Sequence, residues 1–189
     1  MRRYPLPVYS KWTIPFQGAC NLTLSPPMVE VLGTTRLPRD DWGMPNTYTS
    51  LHYHIVFSTK IRRPLITGET RARLHAYLGG CVRELGGTAL EVGGVEDHVH
   101  LLARLKPTHC VADVLRAVKK GSSEWLRTDL PQFHWQDGYS AFTIGRSEIE
   151  RVRRYIQDQE EHHRQRTFED EYRQLLTENG IDFDERYLL

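Results

Sequence analysis

The chain has 189 residues, 39% of them hydrophobic and 26% charged, with a net charge of +1. That length suits one domain with its own core and is short for two. No apolar run reaches the roughly 18 residues of a membrane helix, and Pro5, Pro7 and Pro15 interrupt any signal-peptide stretch. Cys20, Cys81 and Cys110 form no CxxC pair, which argues against a disulfide framework or a zinc knuckle and leaves the cytoplasm as the expected compartment.

Residues 1–44 read as a Pro-rich extension without helical or strand periodicity, extended or disordered. Seven of the ten prolines lie in residues 1–45. Met44 is a candidate translation start, and residues 45–189 are the expected working domain.

Residues 51–58, LHYHIVFS, are rich in aromatic and β-branched types and predict a strand buried on both faces. Leu74, Tyr77, Leu78, Cys81, Val82 and Leu85 fall at helical spacing, with Thr67 or Thr70 as cap and Gly86-Gly87 as stop. Residues 88–97 and 98–105 predict two strands joined through a Gly-containing turn. Val111, Val114, Leu115 and Val118 mark a second amphipathic helix to about Leu126. Residues 133–145 predict a last strand. Ile149, Val152 and Ile156 share one helix face, and a polar helix follows over 168–178. The order βαββαβ plus C-terminal helices predicts an α+β, ferredoxin-like or RRM-like fold, with helices on one face of an antiparallel sheet.

On the strand at 98–105, His98, His100, Leu102 and Arg104 share one face, and Val99, Leu101, Ala103 and Leu105 the other, apolar one. Two imidazoles thus stand side by side on a rigid element, away from the apolar core, an arrangement that suits a metal ion. His52 and His54 repeat the geometry, and spacing alone does not choose between the pairs. Tyr155 and Gln159 follow at i, i+4 on a helix. The phenol is a hydroxyl nucleophile that needs activation at neutral pH, and the amide oxygen is a possible third ligand. Each of these residues also has a bland reading, as bonded strand histidines and a half-buried helix tyrosine.

The stretches 51–66 (LHYHIVFSTKIRRPLI), 96–102 (EDHVHLL), 135–145 (WQDGYSAFTIG), 155–163 (YIQDQEEHH) and 180–189 (GIDFDERYLL) together resemble the single-tyrosine HUH transposases. These include small insertion-sequence transposases and REP-associated tyrosine transposases. The resemblance covers Met44 to the C-terminus. It implies that His98, His100 and Gln159 bind a divalent metal, Mg²⁺ or Mn²⁺, and that Tyr155 is the nucleophile. It gives His52-Tyr53-His54 no metal role. It also implies single-stranded DNA cleavage and rejoining through a 5′-phosphotyrosine link, hairpin DNA as partner, and a homodimer sharing active sites between chains. No membrane or nucleotide cofactor is expected.

The segment from Arg104 to Arg127 carries six basic residues against Asp113 and Glu124, a local +4. Lys60, Arg62, Arg63, Arg116, Lys119 and Lys120 are therefore candidate phosphate contacts. Trp135, Tyr139 and Phe142 are candidate base-stacking residues, although core packing suits each of them too. His162 and His163 are read as helix decoration. The competing readings are a domesticated hairpin-binding relative that no longer moves DNA, and an RNA-binding domain. An RNP1-like run is lacking for the latter.

Overall fold

The computed structural model describes residues 48–188, so the extension expected over residues 1–44 lies outside the described residues. Four strands form one antiparallel sheet: β1 (His52–Ser58), β2 (Thr88–Gly94), β3 (His98–Arg104) and β4 (Ser140–Ile144), in the order β2-β3-β1-β4. Five helices complete the fold: α1 (Gly68–Glu84), α2 (Val111–Leu126), α3 (Ile149–Gln157), α4 (Gln159–Gln165) and α5 (Phe168–Glu178). The βαββαβ order and the α+β class are as the periodicity predicts. Among the described residues no helix is long and apolar enough to cross a membrane.

The main core lies on one sheet face. Ile55 and Phe57 of β1 and Val99, Leu101 and Ala103 of β3 meet Leu74, Leu78 and Val82 of α1 and Val114, Leu115 and Val118 of α2. Each such Val, Leu or Ile contributes about 1.5–3 kcal/mol by leaving water. Thr67 stands at the N-cap of α1 without a side-chain cap bond. Gly86, with φ +85, ends that helix in the left-handed conformation a glycine adopts without strain.

The other face is covered as well, which corrects the expectation of helices on one side only. Leu102 packs with Ile149, Val152 and Ile156 of α3. Val56 and Phe142 pack with Phe168 and Leu176 of α5. The reason is visible in the strands themselves. β1 and β3 are buried along nearly their whole length, so a second layer has to shield the face that carries the histidines.

The last strand is shorter than the predicted 133–145. Phe133 and Trp135 turn into the main core, and Trp135 Nε1 donates to Ser122 Oγ at 3.0 Å. Lys119 Nζ donates to the carbonyls of Gln136 (2.7 Å) and Gly138 (2.5 Å). This segment is therefore tethered to α2, and pairing with β1 resumes only after Gly138, whose φ is +82.

Candidate active site

β3 brings His98 and His100 to the sheet face beneath the C-terminal helices, where both are fully buried. They are interior residues, not groups on an outward face, because α3 and α5 close over them. The register of β1 against β3 sets Val56 opposite His100 and His54 opposite Leu102, so His54 lies on the same face, diagonal to His100.

Each histidine of the pair has a partner on Nδ1. His98 Nδ1 donates to Asp97 Oδ1 at 2.7 Å, which leaves Nε2 with its lone pair facing the site. Burial alone would raise the Asp97 carboxyl, but its bonds to His98 and Arg62 outweigh this and hold it at about 2. His100 Nδ1 lies 2.9 Å from His54 Nε2. His100 Nε2 is buried without a hydrogen-bond partner. Burial holds His100 well below the usual imidazole range, so the ring is neutral at pH 7, and Nε2 offers a lone pair to the site in the tautomer that carries its proton on Nδ1.

α3 crosses the sheet on Ile149, Val152 and Ile156. Its close approach depends on Gly93 of β2, where a Cβ would stand 2.5 Å from the Ile156 carbonyl oxygen. Tyr155, beside Ile156, sets its ring edge-on to His100 and to His54, with centroids 5.6 and 5.8 Å away. The continuous helix expected through Gln159 is broken. Asp158, at φ −89 and ψ 14, ends α3, and Gln159 opens α4. Gln159 nonetheless reaches the site, with Oε1 3.4 Å from His98 Nε2 and only 1% of the residue exposed.

Two further residues belong here that the sequence reading passed over. Glu171 of α5 accepts hydrogen bonds from Gln159 Nε2 at 2.9 Å and from the Tyr155 hydroxyl. Burial, and then the charge of Asp97, push its carboxyl up to about 7. His163, read as decoration, lies 2.9 Å from Glu171 Oε2 and 3.2 Å from Gln159 Oε1. An i+4 spacing from Gln159 was the available signal for His163. Nothing local in the sequence marks Glu171, because α5 reaches the site only by packing.

The donor set fits a divalent cation: imidazole nitrogens of His98 and His100, the Gln159 amide oxygen, and a buried His100 Nε2 that has no other partner. Mixed N and O ligands suit magnesium or manganese. Beside Tyr155 opens a cavity of about 420 Å³ whose lining includes His54, Phe142, Arg151, His162, Arg166 and Glu171.

The candidate DNA contacts divide. Arg62 donates to Asp97 Oδ2 at 2.7 Å and lies 4.6 Å over the ring of Phe168, so it supports the histidine layer. Lys119 spends its hydrogen bonds on the loop carbonyls. Lys60 pairs with Asp137, and Arg63 is exposed. Arg116, paired with Asp113, and Lys120 are exposed on α2, which packs on the sheet face opposite the histidines. Trp135 and Phe142 are buried in the cores and only Tyr139 is exposed, so two of the three aromatics are packing residues and not stacking platforms.

The antiparallel α+β sheet, covered by helices on both faces, is the fold of a single-tyrosine transposase. The chain belongs to the IS200-like transposase family: the family described as "Transposase IS200 like" matches residues 47–159. It is 25% identical over 117 residues to the ISDra2 transposase TnpA of Deinococcus radiodurans, covering 58% of this chain and 84% of that one. It is 27% identical over 128 residues to the transposase for insertion sequence element IS200 of Salmonella typhimurium, covering 64% and 84%. A crystal structure from Deinococcus radiodurans R1 shares the fold, with a TM-score of 0.50, 22% identity, and 61% of this chain matched to 96% of that one.

Proposed function

We propose that this transposase cuts and rejoins single-stranded DNA at hairpin ends of a mobile element through Tyr155, at a divalent metal site formed by His98, His100 and Gln159. One observation carries the reading: Tyr155 and Gln159 lie against His98 and His100, the phenol beside a buried His100 Nε2 that has no hydrogen-bond partner.

The Tyr155 oxygen forms a bond to phosphorus while the bond from phosphorus to the 3′ oxygen breaks. This leaves a 5′-phosphotyrosine and a 3′ oxygen that takes up a proton to become a free 3′-OH. The phenolic proton leaves along the hydrogen bond to Glu171. The tyrosyl ester conserves the bond energy, so a 3′-OH reverses the step and joins strands without another energy source. A bound Mg²⁺ or Mn²⁺ supplies charge neutralisation and orientation of the phosphate. The cavity beside Tyr155 gives the strand a seat, and its lining includes Arg151, ion-paired with Glu148, and Arg166, bonded to Gln174, whose guanidinium groups face the phosphates.

The resemblance implied active sites shared between chains. Tyr155 lies against His54 and His100 of the same chain, and the mixing experiment below decides between sites within one chain and sites shared across a dimer.

The test is an SDS-resistant protein–DNA adduct formed on a single-stranded hairpin substrate with Mn²⁺. Tyr155→Phe should abolish the adduct and still bind the hairpin, and an adduct that persists in this variant would sink the assignment. A mixture of Tyr155→Phe and His100→Ala should stay inactive. Restored cleavage would mean that sites are assembled between chains.

A further inference from the structure

Glu171 lies beyond residue 159, where the family match ends, yet it is 8% exposed at the centre of the site. Its Oε1 stands 3.6 Å from the unpartnered His100 Nε2, too far for a hydrogen bond. The same oxygen accepts from Gln159, and Oε2 faces His163. His98, His163 and Glu171 each bring one ligand atom to within 4.8 Å of the other two. Among the described residues no lysine or arginine pairs with this carboxylate; its partners are the imidazoles of His100 and His163, which burial keeps neutral at pH 7. A buried carboxylate without a cation is costly. A divalent ion between the β3 histidines and α5 removes that cost, and carboxylate oxygen is the ligand magnesium and manganese prefer.

We propose that Glu171 is a further protein ligand of the cation held by His98, His100 and Gln159, so that binding the ion fastens α5 onto the sheet. This rests on the metal reading of those three residues. α5 has reason to need the fastening, since its buried side chains besides Glu171 are only Phe168 and Leu176.

The experiment is a Mn²⁺ titration followed by electron paramagnetic resonance, on the full chain without DNA. It is paired with hydrogen exchange of α5 amides with and without Mn²⁺. Wild-type protein should bind Mn²⁺ and slow exchange across α5. Glu171→Gln keeps the shape and an acceptor oxygen but loses the charge, and should weaken Mn²⁺ by about tenfold or more. Glu169→Gln, an exposed neighbour on the same helix, should bind as wild type does. Unchanged affinity in Glu171→Gln, with no exchange protection of α5 in the wild type, overturns the proposal and leaves the three-ligand site standing. Wild-type protein that takes up no Mn²⁺, or a His98→Ala variant that binds it normally, overturns the metal reading and this proposal with it. Should Glu171→Gln fail to fold, the exchange measurement on wild-type protein decides.

Discussion

His54 Nε2 lies 2.9 Å from His100 Nδ1, and the two rings stack with centroids 5.1 Å apart. The pair that the family resemblance left without a metal role thus supplies a partner to the pair proposed to have one. With Nδ1–H of His100 donating to His54, His100 Nε2 is left as a lone pair aimed at the site. Burial pushes His54 down to about 4, so it stays neutral at pH 7 and is free to accept. Asp97 does the same for His98, which gives each histidine its own orienting group.

His54→Phe keeps the ring stack and removes the hydrogen bond. Mn²⁺ affinity should fall by about 10–100-fold, the range for losing an orienting partner. His52→Ala should leave it unchanged, because His52 contacts neither histidine of the site. An undiminished titration for His54→Phe would show that His100 needs no such partner.

Gly93→Ala should separate α3 from the sheet. The added Cβ would meet Ile156 oxygen at 2.5 Å and Ile156 Cγ2 at 2.7 Å, and Tyr155 is the adjacent residue. Overpacking of this kind costs about 1–3 kcal/mol. Thermal unfolding should register that loss, and adduct yield should fall even at temperatures where the variant is fully folded. A variant with wild-type melting and wild-type yield would mean that α3 sits further from β2 than described.

The electrostatic footprint of bound DNA is expected near Arg151 and Arg166, not on α2. In filter-binding titrations against salt, Arg151→Ala and Arg166→Ala should each reduce the slope of log K on log salt by about 0.7, the increment for one phosphate on a single strand. Lys119→Ala should leave the slope alone and lower the melting temperature, since its ammonium holds the 136–138 carbonyls. Slopes that respond to Arg116→Ala and Lys120→Ala instead would restore the basic helix as the contact surface.

His75 is half-buried on α1, on the sheet face opposite the histidine pair, and it tests the acid limb of stability. Burial, helped by Arg71, pushes it down to about 4, and its Nε2 has no hydrogen-bond partner. A depressed histidine contributes stability that is complete above the unfolded value near 6.5. That contribution is lost as pH falls through 4. His75→Gln does not titrate, so its melting temperature should drop less than that of the wild type between pH 7 and pH 4. Parallel curves would remove His75 from the account.

The local pattern was sufficient for the elements and for part of the site. Period-2 alternation in 98–105 placed His98 and His100 on one face, and helical spacing aligned Ile149, Val152 and Ile156, because these periodicities follow from backbone geometry alone. The pattern over 133–145 misled, since β-type residues there serve as core anchors for α2, and only contacts with α2 reveal that. Gln159 reached the histidine pair despite the break at Asp158, because a residue one turn on keeps nearly the same direction.

His54, His163 and Glu171 entered the site by a different route. Strand pairing put His54 on the diagonal to His100, and packing of Phe168 and Leu176 against the sheet carried Glu171 to Tyr155. Such contacts join residues far apart in the chain, and no sequence period encodes them. By itself the sequence determined which side chains stand together on one strand or one helix. Only the tertiary structure decided which of these elements meet, and so turned two outward-seeming histidines into buried residues beside Tyr155 and Gln159.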